Sequence, residues 1–315
     1  MDGTHVFVSV DVEGISGYGG EDDADSSVAA AVVADVNAAV DGALDADGDA
    51  TVTVADSHGE KRTVPPADLR GRATLVRGGP RPQGMVDGAA GADLAFLIGY
   101  HDRPGSGGFL EHTFTGAIAD VRVGGQSVGE TGLNAMLLAD LGVPVALVTG
   151  DDRLADTVAD RLLGAAFVTT KTVRGSVSVA CRPPAAARDD IREAAAAAAA
   201  DPPDPEPPVA LDPPLPVAVE FVRATDADAA ALWPGVERGA DSRTVRHEAR
   251  GRPTGSSARR RTSRPTEPQK LKPRRRDAAP WRQTASPSGR SGPCPSAPPS
   301  PGAGSAGNST SRPRA

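Results

Sequence analysis

The chain has 315 residues, enough for two modest domains that each bury a core. Residues 1–249 carry 19 Lys and Arg against 39 Asp and Glu, whereas residues 250–315 carry 15 against 2, so two polymers of opposite charge meet near residue 250. Two cysteines, Cys181 and Cys294, exclude a disulfide framework, and no basic segment followed by an apolar core or run of ~18 apolar residues occurs, which predicts a cytoplasmic protein that does not span a membrane.

The first predicted element is a β-branched strand from His5 to Val12, of the kind buried in a parallel sheet. After a Gly/Asp-rich loop, Ser26 or Ser27 caps a helix whose Val28, Val32, Val36 and Val40 recur every four residues. Thr51–Ala55 is a second strand, followed by Asp56, Ser57, His58 and Gly59. Asp93–Tyr100 is a third, ending at His101, and a Gly-rich loop leads to His112. A helix over Glu130–Leu141 carries Leu133, Met136, Leu137 and Leu141, and Val143–Thr149 is another buried strand. Extended chain over Lys171–Ala180, an alanine-rich helix over Ala185–Ala200, a proline-rich connection and a strand over Val217–Val222 complete the folded part. The alternation predicts an α/β fold, a mostly parallel Rossmann-like sheet with flanking helices, plus a smaller α+β region. The expected domains are a metal-binding catalytic unit over 1–165, the smaller region over 166–249, and a disordered Arg/Pro/Ser-rich tail over 250–315.

Chemistry concentrates at strand ends, where open α/β sheets build their sites. Alternation along the first strand places Asp11 and Glu13 on one face, and two crowded carboxylates repel unless a cation or proton lies between them. A solvated edge or a helix cap also produces such a pair, and a lone histidine after a strand is often structural. The pair has company, however: His58 follows the second strand, His101 ends the third, and Glu130 opens a helix nearby. Carboxylate and imidazole donors suit zinc, with cobalt or manganese as competitors. Five such ligands exceed the need of one catalytic zinc and suit two ions ~3.5–4 Å apart, one carboxylate bridging.

These residues carry a family likeness. Ser9, Asp11, Glu13 and Gly14 match an S-x-D-x-E-G motif; Asp56-Ser57-His58, Gly99-Tyr100-His101, Glu111-His112-Thr113 and Gly129-Glu130-Thr131-Gly132-Leu133-Asn134-Ala135 follow in order. With Gly142–Asp152 and Trp233–Val236, the chain resembles the DppA-type D-aminopeptidases, zinc peptidases of family M55, over roughly residues 5–249. The resemblance implies two zinc ions per subunit, with Asp11 bridging and Glu13, His58, His101 and Glu130 completing the shells. It implies His112 as the catalytic histidine, acting as base, nucleophile or oxyanion stabiliser. It also implies small peptides with an N-terminal D-residue, D-alanine above all, as substrates, and a homo-oligomeric ring.

Departures from the family pattern are expectations too. The loop over Tyr18–Asp25 is short, and Glu111 stands where the family has serine, which raises the pKa of His112 if the two side chains meet. The final apolar helix is replaced by the basic tail, a composition that a reading-frame shift in a GC-rich gene accounts for, with an evolved tail as the alternative. Loss of that helix would impair assembly first. The rival functions are another dinuclear hydrolase, such as a phosphoesterase or amidohydrolase, and nonspecific nucleic-acid binding through Arg259–Arg261 and Arg274–Arg276; no motif for specific nucleic-acid recognition is present. The acidic excess of residues 1–249 is expected of a protein adapted to a high-salt cytoplasm, the alternative being an ordinary acidic enzyme from an organism with a GC-rich genome.

Overall fold

The β-branched run at the N-terminus becomes the centre of a parallel sheet in the computed structural model, which describes residues 3–249 apart from 21, 22, 24, 72 and 211–213. The tail expected over 250–315, and the reading-frame shift inferred from it, lie outside the described residues. In chain order the first elements are β1 (His5–Val10), α1 (Asp25–Ala46), β2 (Thr51–Asp56), β3 (Thr74–Val76), β4 (Leu94–Tyr100), β5 (Ile118–Val123), β6 (Gln126–Ser127) and α2 (Glu130–Asp140). There follow β7 (Val145–Asp151), α3 (Asp152–Arg161), β8 (Ala166–Gly175), β9 (Ser178–Cys181), α4 (Pro184–Ala200), β10 (Leu215–Phe221), α5 (Ala224–Ala230), β11 (Val236–Arg238) and β12 (Thr244–Ala249).

The main sheet runs β3-β2-β1-β4-β7-β8-β9, parallel throughout except for β9, which pairs antiparallel with β8. Its strands are apolar on both sides because both faces are covered. Val6, Val8 and Val10 of β1 and Leu94, Phe96 and Ile98 of β4 pack into one core with Val32, Val36 and Val40 of α1 and Ile191 of α4. Phe7, Ala95, Leu97 and Tyr100 face the opposite core, which Ala135 and Leu138 of α2 and Leu154 and Val158 of α3 complete. The strand order reverses between β1 and β4. Such a switch point opens a crevice at the carboxyl ends of the two strands.

A second, antiparallel sheet runs β11-β12-β10-β5-β6 over a small core of Val121, Val123, Val128, Met136 and Val209. The chain is therefore not divided between the sheets by a cut at residue 165. β8, β9 and α4, expected in the smaller region, extend the main sheet, whereas β5 leaves the first half to pair with β10 and carries β6 with it at the sheet edge. Helix α2 joins both cores: Ala135 and Leu138 face the main sheet, Met136 faces the second, and Leu137, expected in the apolar stripe, is 48% exposed.

Helix α1 is long and apolar enough in composition to cross a bilayer, yet Val32, Val36, Ala39, Val40 and Ala43 are buried inside the protein. It packs closely on α4 through Gly42, where an added Cβ would lie 2.4 Å from the Arg192 carbonyl oxygen and 2.7 Å from the Ala195 Cβ. Gly42→Ala should therefore destabilise the fold by about 1–3 kcal/mol, the usual cost of overpacking. Thermal melting beside Gly48→Ala, whose added methyl meets nothing within 4 Å, checks this; equal melting temperatures would refute the close approach.

Candidate metal centre

β1 stops at Val10, so Asp11 and Glu13 do not share a strand face as alternation predicts. The Asp11 N–H instead donates to the Ile98 carbonyl at 2.9 Å, holding the chain beside β4, and residues 12–17 turn back. The Gly14 N–H donates to the Gly99 carbonyl at 2.8 Å. A Cβ on Gly14 would sit 2.2 Å from the Tyr100 carbonyl oxygen, so only glycine permits this turn. The turn brings Glu13 back beside Asp11. His58 arrives from the end of β2, His101 from the end of β4, and Glu130 from the first turn of α2.

The five side chains converge. His58 Nδ1 lies 3.0 Å from Asp11 Oδ1 and 3.3 Å from Glu13 Oε2. His101 Nε2 lies 3.6 Å from Asp11 Oδ2 and 3.5 Å from Glu130 Oε1. Asp11, Glu13, His101 and Glu130 are all buried, and His58 is about a third exposed at the mouth. Two sets of donor atoms each lie within 4.8 Å of one another, Asp11–Glu13–His58 and Asp11–His101–Glu130, and they share Asp11. A third set joins Glu13, His101 and His112.

Three carboxylates in so small a volume disturb one another's protons. Burial, then the charge of Glu13, pushes Asp11 up to about 7. Burial also acts upward on Glu13, but the adjacent His58 imidazole and the charge of His101 outweigh it and hold Glu13 below the usual carboxylate range. Glu130 is likewise held low, its own burial outweighed by His101. Burial alone would make His58 and His101 less basic. The hydrogen bond to Asp11 and the nearby Glu13 carboxylate raise His58 to about 10, and Glu130 and Asp11 raise His101 to about 10.

Glu13 Oε2 and His101 Nε2 are buried without any hydrogen bond, the condition in which a protein leaves a donor atom free for an ion. His101 Nδ1 donates to the Asp102 carbonyl at 2.9 Å, which turns the Nε2 lone pair inward, the usual support for a ligating histidine. Oxygen and imidazole nitrogen in this number suit zinc-type divalent ions, so the residues present fit a metal.

His112 stacks on His101, with ring centroids 4.1 Å apart and planes 11° off parallel. Its Nδ1 donates to the Leu110 carbonyl at 2.9 Å, and its Nε2 lies 3.8 Å from Glu130 Oε1. Phe114, held in the left-handed region at φ 59°, gives its N–H to the same Glu130 oxygen at 2.7 Å. Glu111 does not turn toward His112. Its carboxylate accepts from the N–H groups of Gly105, Gly107 and Gly108 and from the Ser106 hydroxyl, and so ties down the preceding loop. These donors hold Glu111 below the usual carboxylate range against the upward push of its partial burial.

Sequence reasoning passed over Lys171. Fully buried on β8, its Nζ donates to the carbonyls of Glu13 at 2.6 Å and Tyr18 at 2.8 Å, pinning both ends of the turn that carries Glu13. The rings of Tyr18 and Phe109 lie 5.4 and 5.1 Å from it, and burial lowers its pKa to about 8. The available signal was a rare lysine set among the β-branched residues Val168 to Val173.

The raised imidazole pKa values have a measurable consequence. Below about pH 10, His58 and His101 hold protons in the ion-free protein, and a metal must displace them. Binding of divalent cations at pH 7.5 should release about two protons per chain and weaken as pH falls. Calorimetry in buffers of different ionisation heat checks this, and proton-independent binding would contradict it.

Comparison with known proteins gives concordant matches. The profile of the M55 peptidases, described as D-aminopeptidase, matches residues 4–252. The D-aminopeptidase of Bacillus subtilis (strain 168) is 30% identical over 255 residues, spanning 78% of this chain and 91% of that protein. A solved structure of the zinc-dependent D-aminopeptidase DppA from Bacillus subtilis, described as a self-compartmentalizing protease, has a TM-score of 0.74 at 27% identity and covers 79% of this chain and 92% of that one.

Proposed function

The chain belongs to the M55 family of D-aminopeptidases and is by that membership a metallopeptidase, and on this premise we propose a zinc-dependent aminopeptidase that removes an N-terminal D-residue, D-alanine by preference, from small peptides. The carrying observation is the pair of donor sets that share Asp11, with buried atoms of Glu13 and His101 left unbonded. In this reading Asp11, Glu13 and His58 would hold one zinc and Asp11, His101 and Glu130 the other, Asp11 being common to both sets. Bound there, the two ions supply Lewis-acid polarisation of the scissile carbonyl and a strong nucleophile at neutral pH.

The chain's own residues do the rest. Because the Nδ1–H of His112 is engaged by Leu110, its Nε2 is the atom that takes up or returns a proton at the mouth of the site. Stacking on His101 and the Leu110 bond keep that ring in one orientation. Glu111 acts at one remove, fixing residues 105–108 and so the approach to His112. A homo-oligomer, as described for the Bacillus subtilis enzyme, and a cytoplasmic location at high salt complete the proposal.

Purified protein loaded with zinc should bind two ions per chain and hydrolyse D-alanyl amides faster than L-alanyl amides or a phosphate ester. His112→Ala should keep both ions and lose about 10²–10⁴-fold in kcat, the scale of one proton-transfer residue. Asp11→Asn should lose metal as well as activity. A wild-type protein that holds less than one ion and cleaves neither amide would sink the reading. The salt adaptation is tested separately by melting in KCl: the temperature should rise steadily with salt, and an unchanged value in dilute buffer would count against it.

A further inference from the structure

Beneath the cluster lies a second group of polar side chains that the chemistry above does not use. Ser9 Oγ is 2.7 Å from Tyr100 Oη, 2.9 Å from Ser57 Oγ and 2.9 Å from the Met85 carbonyl oxygen, to which it donates. Ser57 Oγ lies 3.0 Å from the same carbonyl and 3.2 Å from that of Ala55. Asn134 Nδ2 donates to Tyr100 Oη at 3.1 Å and reaches Met85 Sδ at 3.2 Å. Ser9 and Tyr100 are completely buried, and Ser57 and Asn134 nearly so. A consistent ordering of protons runs from the Asn134 amide to Tyr100, from the Tyr100 hydroxyl to Ser9, and from Ser9 to Met85.

The placement of these residues along the chain is the telling feature. Ser9 stands two residues before Asp11, Ser57 directly before His58, Tyr100 directly before His101, and Asn134 one helical turn beyond Glu130. Four segments that meet nowhere else in sequence, the ends of β1, β2 and β4 and the first turns of α2, are tied through one set of hydroxyl and amide groups. On this face of the sheet the neighbours are apolar, including Phe7, Ala95 and Leu97. Apolar residues of similar shape would fill the space without the desolvation that buried polar groups incur. What apolar packing lacks is direction: a hydrogen-bonded network satisfied at each member admits one arrangement of the strands, whereas methyl groups tolerate small slides.

We propose that Ser9, Ser57, Tyr100 and Asn134 are positioning residues that hold Asp11, His58, His101 and Glu130 at metal-binding separation before an ion arrives. The proposal rests on the two-ion reading above. Glu13 is the one member of the donor cluster outside this network, and Lys171 holds its turn instead.

The test compares Ser9→Thr with Ser9→Val, which add the same bulk and differ in the hydroxyl, and adds Tyr100→Phe. Zinc affinity is measured by competition with a chelator, the ligand field by the visible spectrum of the cobalt(II)-loaded protein, and folding by melting of the ion-free form. Ser9→Val and Tyr100→Phe should bind zinc about 10–100-fold more weakly than Ser9→Thr and wild type, the usual scale for groups supporting metal ligands, and show a shifted cobalt spectrum. Wild-type affinity and spectrum in variants whose ion-free melting temperature alone is lowered would assign the network to stability and overturn the proposal. A Ser9→Val that fails to fold leaves Tyr100→Phe to decide on the same two readouts. A wild-type chain that binds no zinc would instead overturn the two-ion reading, and this proposal with it.

Discussion

Three carboxylates, Asp11, Glu13 and Glu130, are buried around one small volume, and that crowding governs the region. Two like charges 4 Å apart repel by about 4 kcal/mol at the effective dielectric typical of protein sites, several times the net worth of an ordinary hydrogen bond. Such a cluster persists only with positive charge among its members. Without an ion, protons on His58 and His101 supply it, which is why both imidazoles become so basic. Protons and metal ions are alternative ways of meeting one electrostatic demand, so proton occupancy and ion occupancy are two faces of the same site.

The fold meets the geometric side of that demand by converging elements that share no local sequence. The reversal of strand order between β1 and β4 leaves a crevice where the ends of β1, β2 and β4 open together. Helix α2 reaches this crevice only after the chain has made the excursion through β5 and β6, and its N-terminal turn delivers Glu130. Because α2 is packed against both cores, it is held along two of its faces. The acid it carries is thereby fixed in depth as well as in direction.

Residue type and local pattern made much of this legible. The apolar run of β1, the histidines after β2 and β4, and the acid opening α2 are local signals, and the rule that sites gather at strand ends groups side chains that do converge in the structure. What was misread depended on contacts distant in sequence. The closeness of Asp11 and Glu13 comes from a turn that Gly14 allows against Tyr100, not from alternation. β5 pairs with a strand nearly a hundred residues later, which no local period announces, so sequence pattern gives the smaller sheet too little of the first half and too much of the second. Glu111 looked like a neighbour of His112 because the two are adjacent in sequence, but the N–H groups of a glycine-rich loop drew it away. Lys171 stands out in sequence only as a rare lysine among β-branched residues: its partners, backbone carbonyls at the end of another strand, leave no mark on composition.

The reach of Lys171 also sets an order of events. It is separated from the Glu13 carbonyl by 158 residues of chain. In a chain made from its N-terminus, the segment bearing the motif emerges well before β8 and waits for those 158 further residues before its turn is pinned. The set Asp11–His101–Glu130 is available once residue 130 has been made, whereas the anchoring of Glu13 waits for β8. The two halves of the donor cluster are therefore completed at different moments of synthesis, and contacts of such long sequence separation are the slow ones to close. The turn bearing Glu13 is made before β8 and finished only after it.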